Sequence, residues 1–312
     1  MALGEFSPAF AAGPPEDLIE IQAREAAAVS AYPRPKNIRI TDITIPGSQR
    51  QIPARLYQPI DEAGNLLTGP LQIFVWFHGG AFIFGDINMG EAEFTACEVA
   101  SQANAVTISV DYKLADPDTR FPCSQVDGID SVLWARDQAI NLHGDPEKLF
   151  VGGASAGAFL AGSVSLMLRD RGVKAAGILP IYPAAHQIWP DMTPEIYEQV
   201  KDIVYFTPEF SALHNPWLLE AIDNYDPNND PFYCFAGDTI DKSGQAPFLI
   251  VHAQKDSLRL SGELWVKQLR AAGVYVDEFI EPEQTHGYLS FGPTNPGTAH
   301  TLQLMARWIG AH

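Results

Sequence analysis

LFVGGASAGAFLAGSVSLML, residues 149–168, passes from a short apolar run through Gly152, Gly153, Ser155 and Gly157 straight into a stretch of helical length. A serine between a strand and a helix sits on a tight, strained turn. The residues two before and two after it must be small, because side chains there would collide. Gly153 and Gly157 meet that requirement. The pattern Gly-x-Ser-x-Gly is short, and a glycine-rich start also serves simply to let a helix approach a sheet closely. Its place between strand and helix makes Ser155 a candidate nucleophile, and partners elsewhere in the chain must decide the matter.

Outward from this turn, the runs LQIFVWF (71–77), AVTISV (105–110), KLFVGG (148–153), AAGILPI (175–181) and PFLIVHA (247–253) are almost continuously apolar. Strands buried on both faces require this, and such strands belong to parallel sheets. Helix-length stretches at 92–103, 124–142, 155–171 and 258–272 lie between them. The alternation predicts an α/β fold, a doubly wound and mostly parallel sheet flanked by helices, formed by residues 1–312 as a single domain. Before it, Pro14-Pro15-Glu16-Asp17 opens an alanine-rich helix that stops ahead of Pro33. NIRITDITI (37–45) and QIPARLYQP (51–59) alternate apolar and polar residues, as half-buried antiparallel strands at one sheet edge do.

Residues 183–240 break the rhythm with seven prolines, at 183, 190, 194, 208, 216, 227 and 231, and with Trp189, Tyr197, Tyr205, Phe206 and Trp217. This composition reads as short helices folded over the sheet as a lid, or as ordinary helical packing.

A serine nucleophile needs a base, a carboxylate to orient the base, and amide donors for the oxyanion. Asp256 follows the run PFLIVHA, at the carboxyl end of a strand, where ligands meet an open α/β sheet. VYVDEFIEP (274–282) reads as the next strand, and His286 lies in the loop beyond it. The other histidines lie in helical, capping or terminal contexts, or, as His252, within the strand before the acid. Ser155, Asp256 and His286 are therefore the expected catalytic set. The amide after the nucleophile, Ala156, and the glycine loop His78-Gly79-Gly80-Ala81 after an early strand are the expected oxyanion donors. His78 itself is expected to brace that loop through a backbone hydrogen bond.

The net charge of -18 and the scattered Lys and Arg residues argue against nucleic acid as a partner. Apolar residues make up 46% and charged residues 19%, the composition of a folded globular chain. No apolar run approaches the roughly 20 residues of a bilayer span, and the amino terminus has no basic and apolar leader pattern. Three well-separated cysteines, Cys97, Cys123 and Cys234, suggest neither a disulfide framework nor a zinc site. They fit buried thiols in a reducing compartment, and the expected location is cytoplasmic. No phosphate loop, His-Glu-x-x-His or Cys-x-x-Cys motif occurs, so no cofactor or metal is expected. An exposed final strand would allow two copies to pair edge to edge as a homodimer.

Taken together, HGGAF (78–82), DYKLADPDTRFP (111–122), GGASAG (152–157), KDSLR (255–259) and THGY (285–288) resemble the hormone-sensitive-lipase-like family of α/β-hydrolases. The resemblance spans about residues 70–310 and implies the α/β-hydrolase fold. It implies a serine carboxylesterase that takes a small or medium ester or lactone, with Ser155 acylated, His286 as base and then acid, and Asp256 as orienter. It further implies oxyanion donors at Gly80, Ala81 and Ala156, and a lid built from residues 1 to about 40 and 183–240. The chain departs from the family's pattern at Ala154, where Asp is common, at Ala158 and Ala81, where Gly is common, and at Asp116-Pro117. Substrate preference is what these departures touch. Two other uses of such a pocket follow from the same resemblance: an elimination or cyclisation of specialised metabolism, and ligand binding without turnover.

Overall fold

The computed structural model describes residues 16–202 and 206–312, with side chains from residue 23 onward. Eight strands form one sheet in the order β1-β2-β4-β3-β5-β6-β7-β8. They are β1 (Ile38–Pro46), β2 (Gln51–Pro59), β3 (Leu71–Phe77), β4 (Val106–Val110), β5 (Gly144–Ala154), β6 (Gly177–Ile181), β7 (Phe248–Lys255) and β8 (Val276–Thr285). The β1-β2 and β2-β4 pairs are antiparallel and every later pair is parallel. The two amino-terminal strands thus form one edge, and their alternating sequences match a surface wetted on one side.

The parallel strands are buried on both faces, which explains their unbroken apolar character. Ile73, Val75 and Phe77 of β3 join one core, while Phe74 and Trp76 join the other. On the first face lie α3 (Cys123–Asp137), α4 (Ala156–Asp170) and α7 (Arg259–Ala271); on the second lie α2 (Gly90–Ala103) and α8 (Pro296–Ala311). Each fully buried Phe, Leu or Ile in these layers contributes about 1.5–3 kcal/mol. The stretch 124–142, expected as one helix, ends as an α-helix at Asp137 and resumes as a 3-10 turn, Ile140–Leu142. His143, in the left-handed region, turns the chain into β5. Beyond Pro282, β8 continues to Thr285 because Lys255 pairs with Thr285 across a register shift.

Helix α1 (Glu16–Ala31) occupies the expected place, its expected first residues lying outside the described part. Glu25 of α1 accepts the Gly90 N–H at 2.7 Å and so ties this helix to the start of α2. Glu93, one turn into α2, is buried with Arg34, Arg55 and Tyr57 around its carboxylate.

The long connection between β6 and β7 contains α5 (Pro194–Val200) and α6 (Pro208–Leu219). Both begin alike: a threonine, Thr193 or Thr207, accepts the amide three residues on, and a proline fills the first helical position. Trp189, Phe206 and Phe210 of this connection pack on one another with ring centroids 5.3–6.2 Å apart. Tyr205 and the expected lid residues 1–15 lie outside the described residues. Among the described residues no helix is long and apolar enough to cross a membrane.

Candidate active site

Strand β5 delivers Ser155 at φ 53° and ψ −115°, outside the conformations a non-glycine residue ordinarily adopts. The turn is possible only because its flanks are bare. A Cβ at Gly153 would collide with the Gly157 backbone, and one at Gly157 would strike the carbonyl of Phe77 on β3. Helix α4 starts at once, with Ser155 O accepting Phe159 N–H at 3.1 Å, while Ser155 N–H is anchored on Ile181 O at 3.0 Å.

His286 follows β8, and its Nε2 accepts the Ser155 Oγ hydroxyl at 2.8 Å. Its Nδ1–H donates to Asp256 Oδ2, also at 2.8 Å, and this fixes the tautomer. Asp256 is buried just past β7, and its second oxygen accepts the Leu258 N–H at 2.8 Å. Three residues drawn from widely separated loops thus form one hydrogen-bonded relay. Burial pulls the His286 pKa down, but the charge of Asp256, its hydrogen bond and the charge of Glu91 outweigh this and leave it above the ordinary histidine value. The rings of Tyr182 and Phe206 meet the imidazole edgewise, 5.0 and 5.1 Å away.

The glycine loop after β3 faces the same serine. In a trans peptide the carbonyl and the N–H point in opposite directions, so holding a carbonyl aims the next amide. Gly79 O accepts from His78 Nδ1–H at 2.7 Å, which orients the Gly80 N–H. Gly80 O accepts from Ile83 and Phe84 N–H at 3.0 and 3.1 Å, which orients the Ala81 N–H. A side chain at Gly80, where φ is +110°, would collide with Phe84 O. Among the described residues the N–H groups of Gly80, Ala81 and Ala156 have no acceptor. The Gly79 amide differs from the expectation: its N–H donates to the Glu91 carboxylate and is unavailable to an oxyanion. The bracing of this loop by His78 is as the sequence suggested. Its ring also stacks on Tyr112 at 4.4 Å, and burial lowers its pKa to about 4, so it is neutral.

Glu91 was not singled out by sequence. It is buried at the start of α2, accepts from Gly79 N–H and from the Tyr182 hydroxyl at 2.6 Å, and has its pKa pushed up to about 7 by burial. Neither it nor Tyr182 belongs to a motif with a local signature; an acid shortly after the glycine loop was the only available hint.

Ser155, Ala156 and Ala81 border a cavity of about 40 Å³, closed by Trp189, Phe206, Phe210 and His214 from the β6-β7 connection. The wall is aromatic and aliphatic. Its polar members are engaged: Asn215 Nδ2–H donates to Gln187 O at 2.6 Å, and His214 bonds to Ala81 O at 2.9 Å. Ala154 and Ala158, where the family pattern has Asp and Gly, are both fully buried.

A serine on a strained strand-to-helix turn, relayed to histidine and aspartate and facing an HGG loop, is joined by a family-wide match: the model of the alpha/beta hydrolase fold covers residues 74–290. The chain belongs to the hormone-sensitive-lipase-like family of α/β-hydrolases. Within this family it is similar to the carboxylic ester hydrolase LipN of Mycobacterium tuberculosis, with 30% identity over 95% of this chain and 77% of that one. It is likewise similar to the solved hyperthermophilic esterase of the archaeon Pyrobaculum calidifontis, at TM-score 0.80 and 28% identity, covering 94% of this chain and 92% of the other. The carboxylesterase EstE1, cloned from a metagenomic library, superimposes at TM-score 0.79 and 28% identity over 96% of this hydrolase and 98% of its own chain.

Proposed function

We propose that this chain hydrolyses a small or medium carboxylic ester or lactone through an acyl intermediate on Ser155. His286 Nε2 takes the hydroxyl proton as Oγ attacks the ester carbonyl carbon, and Asp256 stabilises the imidazolium that results. The carbonyl oxygen, now an anion, is met by the N–H groups of Gly80, Ala81 and Ala156. When the carbon–oxygen bond breaks, the imidazolium returns its proton to the departing alkoxide. Water, deprotonated by the same histidine, then attacks the acyl group and releases the acid and free Ser155.

The observation that carries this reading is the pair of 2.8 Å hydrogen bonds through His286, set beside the amides of Gly80, Ala81 and Ala156, which have no acceptor among the described residues, and one apolar cavity. Names of relatives that specify ester hydrolysis support it. The β6-β7 connection, through Trp189, Phe206, Phe210 and His214, serves as the lid over this cavity. Its aromatic wall favours an apolar acyl group, and the Ala81 methyl narrows the space beside it. A panel of p-nitrophenyl esters of graded acyl length, together with lactones, tests the reading. Turnover abolished by Ser155→Ala is expected; unchanged turnover in that variant would defeat it.

A further inference from the structure

The oxyanion loop is held carbonyl by carbonyl, and the support farthest away along the chain comes from the β6-β7 connection. Gly79 O and Gly80 O are held mainly by groups of the loop's own neighbourhood, from His78, Ile83 and Phe84, with the Tyr112 hydroxyl adding a 3.4 Å contact to Gly79 O. Ala81 O is held by Nε2 of His214 at 2.9 Å, from helix α6, 133 residues farther along the chain. A carbonyl only accepts, so Nε2 carries the hydrogen. Burial keeps the His214 pKa down at about 4, so the ring is neutral and this N–H is its single donor.

The loop needs such a tie. Ala81 and Phe82 both lie in the left-handed region, at φ 51° and 64°, where side chains are strained. Rotating the Ala81–Phe82 peptide by half a turn would return Phe82 to negative φ, so the loop has a downhill way to relax. The hydrogen bond of His214 on Ala81 O opposes that rotation, while Ala115 N–H on Phe82 O at 2.7 Å holds the peptide that follows. The imidazole is itself fixed. It lies against Phe210 and Trp217 of its own helix, at 5.1 and 6.0 Å, and the Arg120 guanidinium caps Trp217 at 4.9 Å.

We propose that His214 is a positioning residue for the oxyanion hole, holding the Ala81–Phe82 peptide from the lid so that the loop keeps the left-handed turn at Ala81 and Phe82 on which the placement of the preceding Gly80 and Ala81 amides depends. The inference rests on the ester-hydrolase reading above. It makes the placement of α6 and the geometry of the hole one variable. A substrate that seats α6 correctly gains in turnover rather than in ground-state binding.

The test compares wild-type enzyme with His214→Phe and His214→Met, which lack the donor, and with His214→Gln, whose amide nitrogen can reach the same carbonyl. The two non-donor variants are expected to lose about tenfold or more in kcat on a p-nitrophenyl ester while KM changes by less than about twofold. Affinity for an aryl trifluoromethyl ketone, which forms an oxyanion on the serine, should weaken by the same factor. The Gln variant should recover most of both losses. A purely structural role would lower melting temperature in all three without separating kcat from KM. The proposal is overturned if either non-donor variant keeps kcat within about twofold of wild type, or if the Gln variant loses as much as the Phe variant. Should both non-donor variants fail to fold, ¹⁵N-histidine labelling of the wild type decides. The His214 Nε2–H signal should shift on binding the ketone, and an unmoved signal counts against the proposal. Wild-type turnover that needs Ser155 but not His214 would remove this inference alone; absence of any Ser155-dependent turnover would remove the ester reading with it.

Discussion

The Ser155 turn and the glycine loop after β3 face each other across one cavity, yet they are held in shape by opposite means. Ser155 is fixed by steric exclusion within a few residues: β5 enters, α4 leaves, and bare glycines let both pass close to β3. The loop 78–82 is fixed in large part by side chains from elsewhere, namely Glu91 on α2, Tyr112 after β4 and His214 on α6. The first is a local solution that tolerates no bulk. The second is distributed, so any one support can be altered with a graded result.

Changes on the nucleophile side should be the most severe. Ser155→Ala should lower ester turnover by about a million-fold with the fold intact, as followed by p-nitrophenolate release and circular dichroism. Asp256→Asn, which leaves the geometry but spoils the histidine tautomer, should cost about 10⁴ in kcat. On the distributed side, Glu91→Ala should cost about 10–100-fold in kcat, because the Gly79 amide and the Tyr182 hydroxyl lose their acceptor. It should also lower the melting temperature by several degrees in calorimetry.

The mildest change is a shift in pH dependence. Acylation needs neutral His286, so kcat/KM should fall on the acid side with an apparent pKa above the ordinary value of about 6.5, since its pKa is raised. Glu91→Gln keeps an acceptor but removes a charge that helps raise this pKa, so the acid limb should move to lower pH. Glu91 also carries a stability signature of its own. Its folded pKa is about 7 against an ordinary 4.5, so the folded chain retains a proton that the unfolded chain releases. Stability should therefore fall as pH rises from about 4.5 to about 7 and level off above, and Glu91→Gln should flatten that slope in urea titrations. Glu25, Tyr182 and His286 face the same carboxyl and set the breadth of the transition.

What could be read from the sequence follows the same division. Doubly buried strands announce themselves as unbroken apolar runs, and the serine turn by its glycines, because each cause is local. Asp256 and His286 were legible through their places after late strands, and the structure brings them within hydrogen-bonding reach of Ser155. Gly79 was grouped with the oxyanion donors because the loop's glycines look alike in sequence; only the buried Glu91 carboxylate distinguishes its amide. In sequence His214 is one of several histidines in helical, capping or terminal contexts. Its contact with Ala81 spans 133 residues and leaves no local pattern.

The account stands on a covalent acyl group at Ser155, and one measurement reaches it directly. Wild-type enzyme turning over a p-nitrophenyl ester is quenched in acid on the millisecond scale, digested and mapped by mass spectrometry. The acyl mass is expected on the peptide that carries Ser155, appearing with the burst of p-nitrophenolate. Steady turnover with that peptide unmodified, or with the acyl group on another residue, would contradict the account.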